Sequence, residues 1–191
     1  MKRNVGEVRE AVWTEMMRAR ALAFPYPPFG HHPNFKGASR AAALLLPELF
    51  ERTLLRPGGT VLSYPDYVLK GLRKGLLETG INVVVPAKHG SDYRFLDASL
   101  VRAARASSIA GAEKEGERIT TLPEVQLALL ACVAVDERGG ALTKGYGFTF
   151  PEGLSVPVVT LVHKLQVLKT LPQVQWQVSA FATPEEVRWF Q

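Results

Sequence analysis

Val8, Val12, Trp13, Met16 and Met17 return at the spacing of one helical face, which predicts an amphipathic helix over residues 7–22. The segment "FPYPPFGHHP" ends it, because proline has no amide hydrogen and clashes with the preceding turn. Residues 38–52, rich in alanine and leucine, predict a second helix with Pro47 as a kink or break. Pro57-Gly58-Gly59 is a turn, and "TVLSY" after it reads as a short buried strand. Asp66 is placed to N-cap a third helix that runs to Leu77 and is closed by Gly80. "INVVVP" is the next strand, followed by a polar loop at 88–93, a helical stretch at 96–105 and a charged surface loop at 111–118. "VQLALLACVAVD" is the longest apolar run outside a helix and suits a strand buried on both faces. "VPVVTLVH" and "VQWQVSAF" add further strands, and Thr183-Pro184-Glu185-Glu186 predicts the start of a short final helix.

Helices alternating with short, continuous apolar strands predict an α/β sandwich around a largely parallel sheet. Such sheets bind ligands beyond the carboxyl ends of their strands, so the loops after "TVLSY", "INVVVP" and "ACVAVD" are where a site is expected. The length of 191 residues predicts one domain, 1–191, with a core of its own. No apolar run approaches a membrane span, and the basic N-terminus lacks the apolar segment of a secretory signal, so a cytoplasmic protein is expected. The single cysteine, Cys132, excludes an internal disulfide and a cysteine-rich zinc site. A net charge of +5 fits an anionic ligand, either nucleic acid or a small molecule such as a nucleotide or a polyglutamylated cofactor. The cations are scattered and no RNP-type aromatic motif or finger spacing is present, which disfavours nucleic acid.

Three stretches carry candidate chemistry. In "GGALTKGYGFTF" glycines allow close backbone approach to a phosphate and Lys144 supplies a mobile charge, although the pattern alone favours a β-hairpin with glycines at its turn. In "HHPNFKGA", Asn34, Phe35 and Lys36 combine an amide, a ring and a charge, suited to a flat heterocycle bearing an acid, or else Phe35 staples the following helix. Adjacent His31 and His32 point opposite ways in an extended segment, which disfavours a shared metal. Lys70, Arg73 and Lys74 share one face of the third helix and read as a solvated basic surface. Ser63 has no evident base, and Asp66 and Asp136 serve as well for a cap and a turn as for a metal.

The order of an N-terminal helix with a basic residue, "VAVDERGG", a K-G-x-G loop and "SAFATPEEV" resembles the 5-formyltetrahydrofolate cyclo-ligase family. "EVREAVW" and "FPYPPFGHHPNFKGA" are similar to its divergent branch, the methenyltetrahydrofolate-synthetase-domain-containing proteins. The resemblance implies a NagB/RpiA-like three-layer α/β sandwich, usually monomeric. It also implies Mg²⁺-ATP-dependent conversion of 5-formyltetrahydrofolate to 5,10-methenyltetrahydrofolate. Carried over, it assigns Arg9, Lys144, Gly145, Tyr146 and Gly147 to the nucleotide, with Lys144 as the catalytic cation, and Asn34, Phe35 and Lys36 to the folate. The family's K-x-x-L-R pattern has Val5 at its lysine position here, with Lys2 and Arg3 the nearest cations. Its L-G-x-G-x-G-Y-Y-D-R loop keeps Leu142, Gly145 and Gly147, but Thr143, Phe148, Thr149, Phe150 and Pro151 replace the first glycine, both tyrosines, the aspartate and the arginine. Phenylalanine cannot organise Mg²⁺ as a carboxylate does, so the resemblance leaves two expectations, a working cyclo-ligase and a silent nucleotide or folate binder.

Overall fold

The computed structural model describes residues 3–89, 91–147 and 149–191, so Lys2 and Phe148 lie outside the described residues. The first helix, α1 (Val5–Arg18), opens with a capping box in which Asn4 and Glu7 exchange side-chain and amide hydrogen bonds. It buries Val8, Val12, Trp13 and Met16 and stops short of Leu22, Arg20 taking a left-handed conformation at φ 55°. α2 (Ala38–Glu51) begins at Gly37 and carries Pro47 inside the helix without interruption. After β1 (Thr60–Ser63), a 3₁₀ turn (Tyr67–Leu69) leads into α3 (Lys70–Glu78), and Gly80, at φ 81°, lets the chain turn back. Asp66 occupies the N-cap position of that 3₁₀ turn, but its side chain makes no capping bond; it is used elsewhere.

β2 (Asn82–Pro86) and β3 (Tyr93–Leu96) form a hairpin. The expected helix over 96–105 is reduced to a single turn, α4 (Ala103–Ala106). The expected surface loop at 111–118 instead holds α5 (Ile109–Glu115), N-capped by Ser108, and β4 (Glu117–Ile119). The remaining strands are β5 (Leu127–Leu130), β6 (Ala134–Asp136), β7 (Gly140–Leu142), β8 (Val158–Leu161), β9 (Val167–Leu168), β10 (Trp176–Gln177), β11 (Ala180–Ala182) and β12 (Val187–Trp189).

Eight strands form the central sheet in the order β12-β11-β8-β5-β1-β2-β3-β4. Its inner five are parallel; β12 at one side and β3 at the other run against them, and β4 pairs antiparallel to β3. Helices flank this sheet, and every residue of β1, β5, β8 and β11 is buried, as expected of strands covered on both faces. The α/β sandwich expected from the sequence is therefore present.

A second sheet, β10-β7-β6-β9, was not foreseen. The apolar run 125–136 divides between the two sheets, with Ala131, Cys132 and Val133 as a fully covered splice. Buried Gln166 donates from Nε2 to the carbonyls of Cys132 and Val133, satisfying acceptors that leave the ladder there. "VQWQVSAF" likewise splits into β10 and β11. The expected final helix is absent among the described residues: Thr183 Oγ1 accepts the amides of Glu185 and Glu186, tightening the hairpin between β11 and β12.

Candidate functional site

The stretch 136–150 contains both structures that its glycines allow. Asp136 Oδ1 accepts the amides of Arg138 and Gly140 at 2.9 Å, forming the β6–β7 turn. Gly139 sits in that turn at φ 83°, where a Cβ would lie 2.8 Å from the carbonyl oxygen of Val178. Asp136 is thus buried turn chemistry rather than an open carboxylate. The hairpin raises β7, and the Lys144-Gly145-Tyr146-Gly147 loop leaves its far end.

Arg9, on α1, reaches this loop. Its Nε donates to the carbonyl of Thr143 at 2.8 Å, and a Cβ on Gly145 would stand 2.9 Å from Arg9 Nη2. Only glycine, at φ 94°, lets the guanidinium lie so close to the loop backbone. Gly147, at φ 99°, turns the chain again, and the Lys144 ammonium lies 4.9 Å from the Tyr146 ring centroid. Among the described residues neither Arg9 nor Lys144 has a carboxylate partner, and the amides of Tyr146 and Gly147 make no hydrogen bond. Two cations and two amides therefore converge on one small loop with donors to spare.

The loop is anchored by three further contacts. Thr143 bonds Gln175 Oε1 through both its amide and its hydroxyl. The Tyr146 hydroxyl donates to the carbonyl of Gly30. The Lys144 amide donates to His32 Nε2 at 3.1 Å, while His32 Nδ1 meets Asp66 Oδ1 at 2.9 Å. Asp66 follows β1 at the carboxyl edge of the parallel sheet, where a site was expected. Sequence reasoning assigned His32 and Asp66 to a loop and a cap; neither spacing nor composition signals that they meet 34 residues apart.

Residues 21–37 form the arm that presents His32. An antiparallel bridge joins Leu22 to Phe35, and the Ala23 and Lys36 amides bond the carbonyls of Asn34 and Ala21. Asn34 braces this arm from both ends of its amide, donating to Phe24 O and accepting the Phe35 amide. The Phe35 ring is only 2 % exposed and packs edge-on against His163, so it belongs to the core side of the arm. Lys36 is exposed. Among the exposed rings of this arm, Phe24 packs edge to face against Tyr67 at 4.9 Å.

Arg73 corrects the expected basic face of α3. It is 2 % exposed and donates to the carbonyls of Ser107, Tyr64 and Asp66, whereas Lys74 pairs with Glu78 at the surface. Burial pulls the Arg73 pKa down to about 10, opposed by the nearby Asp66 charge. Burial, aided by Asp66, pushes the Tyr64 phenol well above its ordinary range. Ser63 is buried and donates to Tyr64 O, which leaves no nucleophile there. Phe150 packs against Trp176 at 4.6 Å and Tyr64 at 5.5 Å. Among the described residues no three His, Cys, Asp or Glu side chains cluster as metal ligands.

A broad groove of about 1560 Å³ runs between α1 and residues 165–172. It is lined by Glu7, Glu10, Thr14 and Arg18, on the α1 flank turned away from Arg9, and it contains none of the loop 143–147. The chemistry favours the cationic loop 143–147 with Arg9. No helix among the described residues is long and apolar enough to cross a membrane.

Residues 60–183 match the model of the 5-formyltetrahydrofolate cyclo-ligase family. The chain is 30% identical over 181 residues to the methenyltetrahydrofolate synthase domain-containing protein of Bos taurus, covering 85% of this chain and 46% of that protein. The Homo sapiens protein of the same name is 28% identical, again over 85% of this chain and 46% of its own length. The chain therefore spans less than half the length of these curated relatives. Among solved structures, the NMR structure of Aquifex aeolicus 5,10-methenyltetrahydrofolate synthetase superposes with a TM-score of 0.61 at 19% identity, covering 98% of this chain and 93% of the other. That likeness shows the fold.

Proposed function

Because the chain belongs to the 5-formyltetrahydrofolate cyclo-ligase family, we propose that loop 143–147 and Arg9 hold the phosphates of ATP for the closure of 5-formyltetrahydrofolate to 5,10-methenyltetrahydrofolate. The observation that carries this reading is the pair of cations, Arg9 and Lys144, that meet on a glycine loop without a carboxylate partner among the described residues. In the reaction, the terminal phosphoryl group passes to the formyl oxygen and ADP departs. The anilino nitrogen then attacks the activated carbon, and phosphate leaves with the former formyl oxygen as that nitrogen gives up its proton, taken by the departing phosphate or water. Positioning and neutralisation of charge govern such chemistry, and guanidinium, ammonium and amide donors supply both. Lys144 is the proposed catalytic cation, with Arg9, Gly145, Tyr146 and Gly147 binding the nucleotide.

Lys36 is proposed to meet the acid groups of the folate, with Asn34 holding the arm in place and Phe35 fixing it from the core. The open Phe24–Tyr67 pair offers the stacking surface for the flat part of the substrate. We take residues 1–191 as one cyclo-ligase-like unit.

The described residues do not fit a protein-held Mg²⁺. Asp136 is occupied by two amides, and the Phe150 ring fills the place where the family's loop carries its aspartate. This observation favours a second reading, a silent member that binds nucleotide or folate without turnover.

One assay separates the two. Purified protein is mixed with 5-formyltetrahydrofolate and Mg²⁺-ATP, and methenyl absorbance is followed beside an ATP-free control. ATP-dependent product supports the cyclo-ligase. Thermal stabilisation by ATP or folate without product supports the silent binder, and neither response removes both readings.

A further inference from the structure

His32 is buried, and each of its ring nitrogens has one partner. The Lys144 amide can only donate, so His32 Nε2 must carry a lone pair toward it. The imidazole is then neutral with its proton on Nδ1, donated to Asp66 Oδ1. Asp66 is held in turn, because its own carbonyl accepts from buried Arg73. A continuous path thus runs from α3 through Asp66 and His32 to the backbone of the loop: Arg73 to Asp66, Asp66 to His32, His32 to Lys144.

We propose that His32 is a positioning residue that holds the Lys144 loop in its ligand-ready shape and releases it when the imidazole gains a proton. The proposal rests on the reading of 143–147 as a phosphate loop. An imidazolium has no lone pair at Nε2, so the Lys144 amide would face a second N–H where it now has an acceptor. The groups facing the ring are the Asp66 carboxylate and the Tyr64 phenol from the end of β1, Lys144 from the loop, and Arg73 from α3 behind Asp66, with His31 adjacent in the chain. Asp66 is the only anion in this set; Arg73 and Lys144 oppose it.

The first test needs neither variant nor nucleotide. In ¹⁵N-labelled protein near neutral pH, the imidazole shifts of His32 should report the Nδ1–H tautomer, and a coupling across the hydrogen bond should join the Lys144 amide nitrogen to His32 Nε2. On acidification that coupling should vanish together with the neutral imidazole signal. An Nε2–H tautomer or a missing coupling at neutral pH overturns the proposal even if ATP binds, whereas absence of ATP binding with the coupling present overturns only the phosphate reading.

The second test measures ATP affinity across the same pH range. Wild type should weaken about tenfold as His32 protonates, the effect of one lost hydrogen bond in an ordered loop. His32→Gln places a non-titrating acceptor near Nε2, so its neutral-pH affinity should be retained and that drop should disappear. His32→Leu should bind weakly at every pH. A His32→Gln protein with the full wild-type pH dependence would show that another group controls the loop.

Discussion

Gly145 carries the most information per atom in the candidate site. A methyl group there would meet Arg9 Nη2 at 2.9 Å in a backbone conformation that L residues disfavour by roughly 1–2 kcal/mol. Gly145→Ala should therefore push the guanidinium off the loop and weaken ATP binding by about tenfold or more, on the order of one charge-assisted contact, and lower the melting temperature by a few degrees. Titration calorimetry beside a melting curve checks both halves of that expectation. Arg9→Ala should reproduce the affinity loss. Arg73 behaves differently: Arg73→Ala takes a donor from three carbonyls, of which those of Tyr64 and Asp66 keep Ser63 Oγ and the Leu69 amide, and leaves a cavity, so it should cost about 2–5 kcal/mol of stability in denaturant titrations. Helical spacing placed Arg73 beside Lys70 and Lys74 and could not reveal this, since its acceptors lie in the segment after β1 and at Ser107. The same limit hid His32 and Asp66. Arg9 and the loop glycines stood out through the order they share with the cyclo-ligase family, and the structure brings them together; that they bind phosphate is the proposal above.

At the scale of elements, local signals worked where one explanation sufficed. α1, α2, β1, β2 and β8 follow the apolar periodicity, with ends displaced by a few residues. Thr183-Pro184 misled because a side-chain oxygen capping two successive amides opens a helix or tightens a hairpin equally well. Tertiary pairing chose the hairpin, since the sheet edge at β11 offered Val187 and Trp189 a ladder. The run 125–136 misled because hydrophobicity reports burial and not membership of a particular sheet. α2 and α3 pack side by side, with Gly71 against Ser39 and Ala42 and Gly75 against Leu46. At Gly71 the nearest heavy atom would stand 3.5 Å from an added Cβ, an ordinary contact. Gly71→Ala should therefore stabilise the protein by about 0.5–1 kcal/mol through a less flexible unfolded chain, readable as a raised urea midpoint.

For the whole molecule, acidification should erode stability. The Glu113 carboxyl is held below its ordinary range, chiefly by the Lys88 amide and then by Arg94. A depressed folded pKa contributes stability that is present above the unfolded carboxylate range and lost as pH falls through the folded value. Burial lowers the His163 pKa, so the unfolded chain takes up that proton first and stability also declines as pH falls below roughly 6.5. Urea midpoints should drop between neutral pH and about pH 4, and Glu113→Gln should flatten the more acidic part of that curve. The splice between the sheets bears on a different question, how the cleft responds in time. Val133 bonds Leu142 at the base of the loop, and Gln166 pins the two residues where the chain changes sheets. The loop thus stands on a buried, hydrogen-bonded foundation. Amide exchange should be slow up to Leu142, intermediate from Thr143 to Gly145, whose amides are hydrogen-bonded, and fast at Tyr146 and Gly147. Ligand capture would then need no hinge between layers, because the unbonded backbone at Tyr146 and Gly147 supplies the give and the anchored part of the loop is shaped once, during folding.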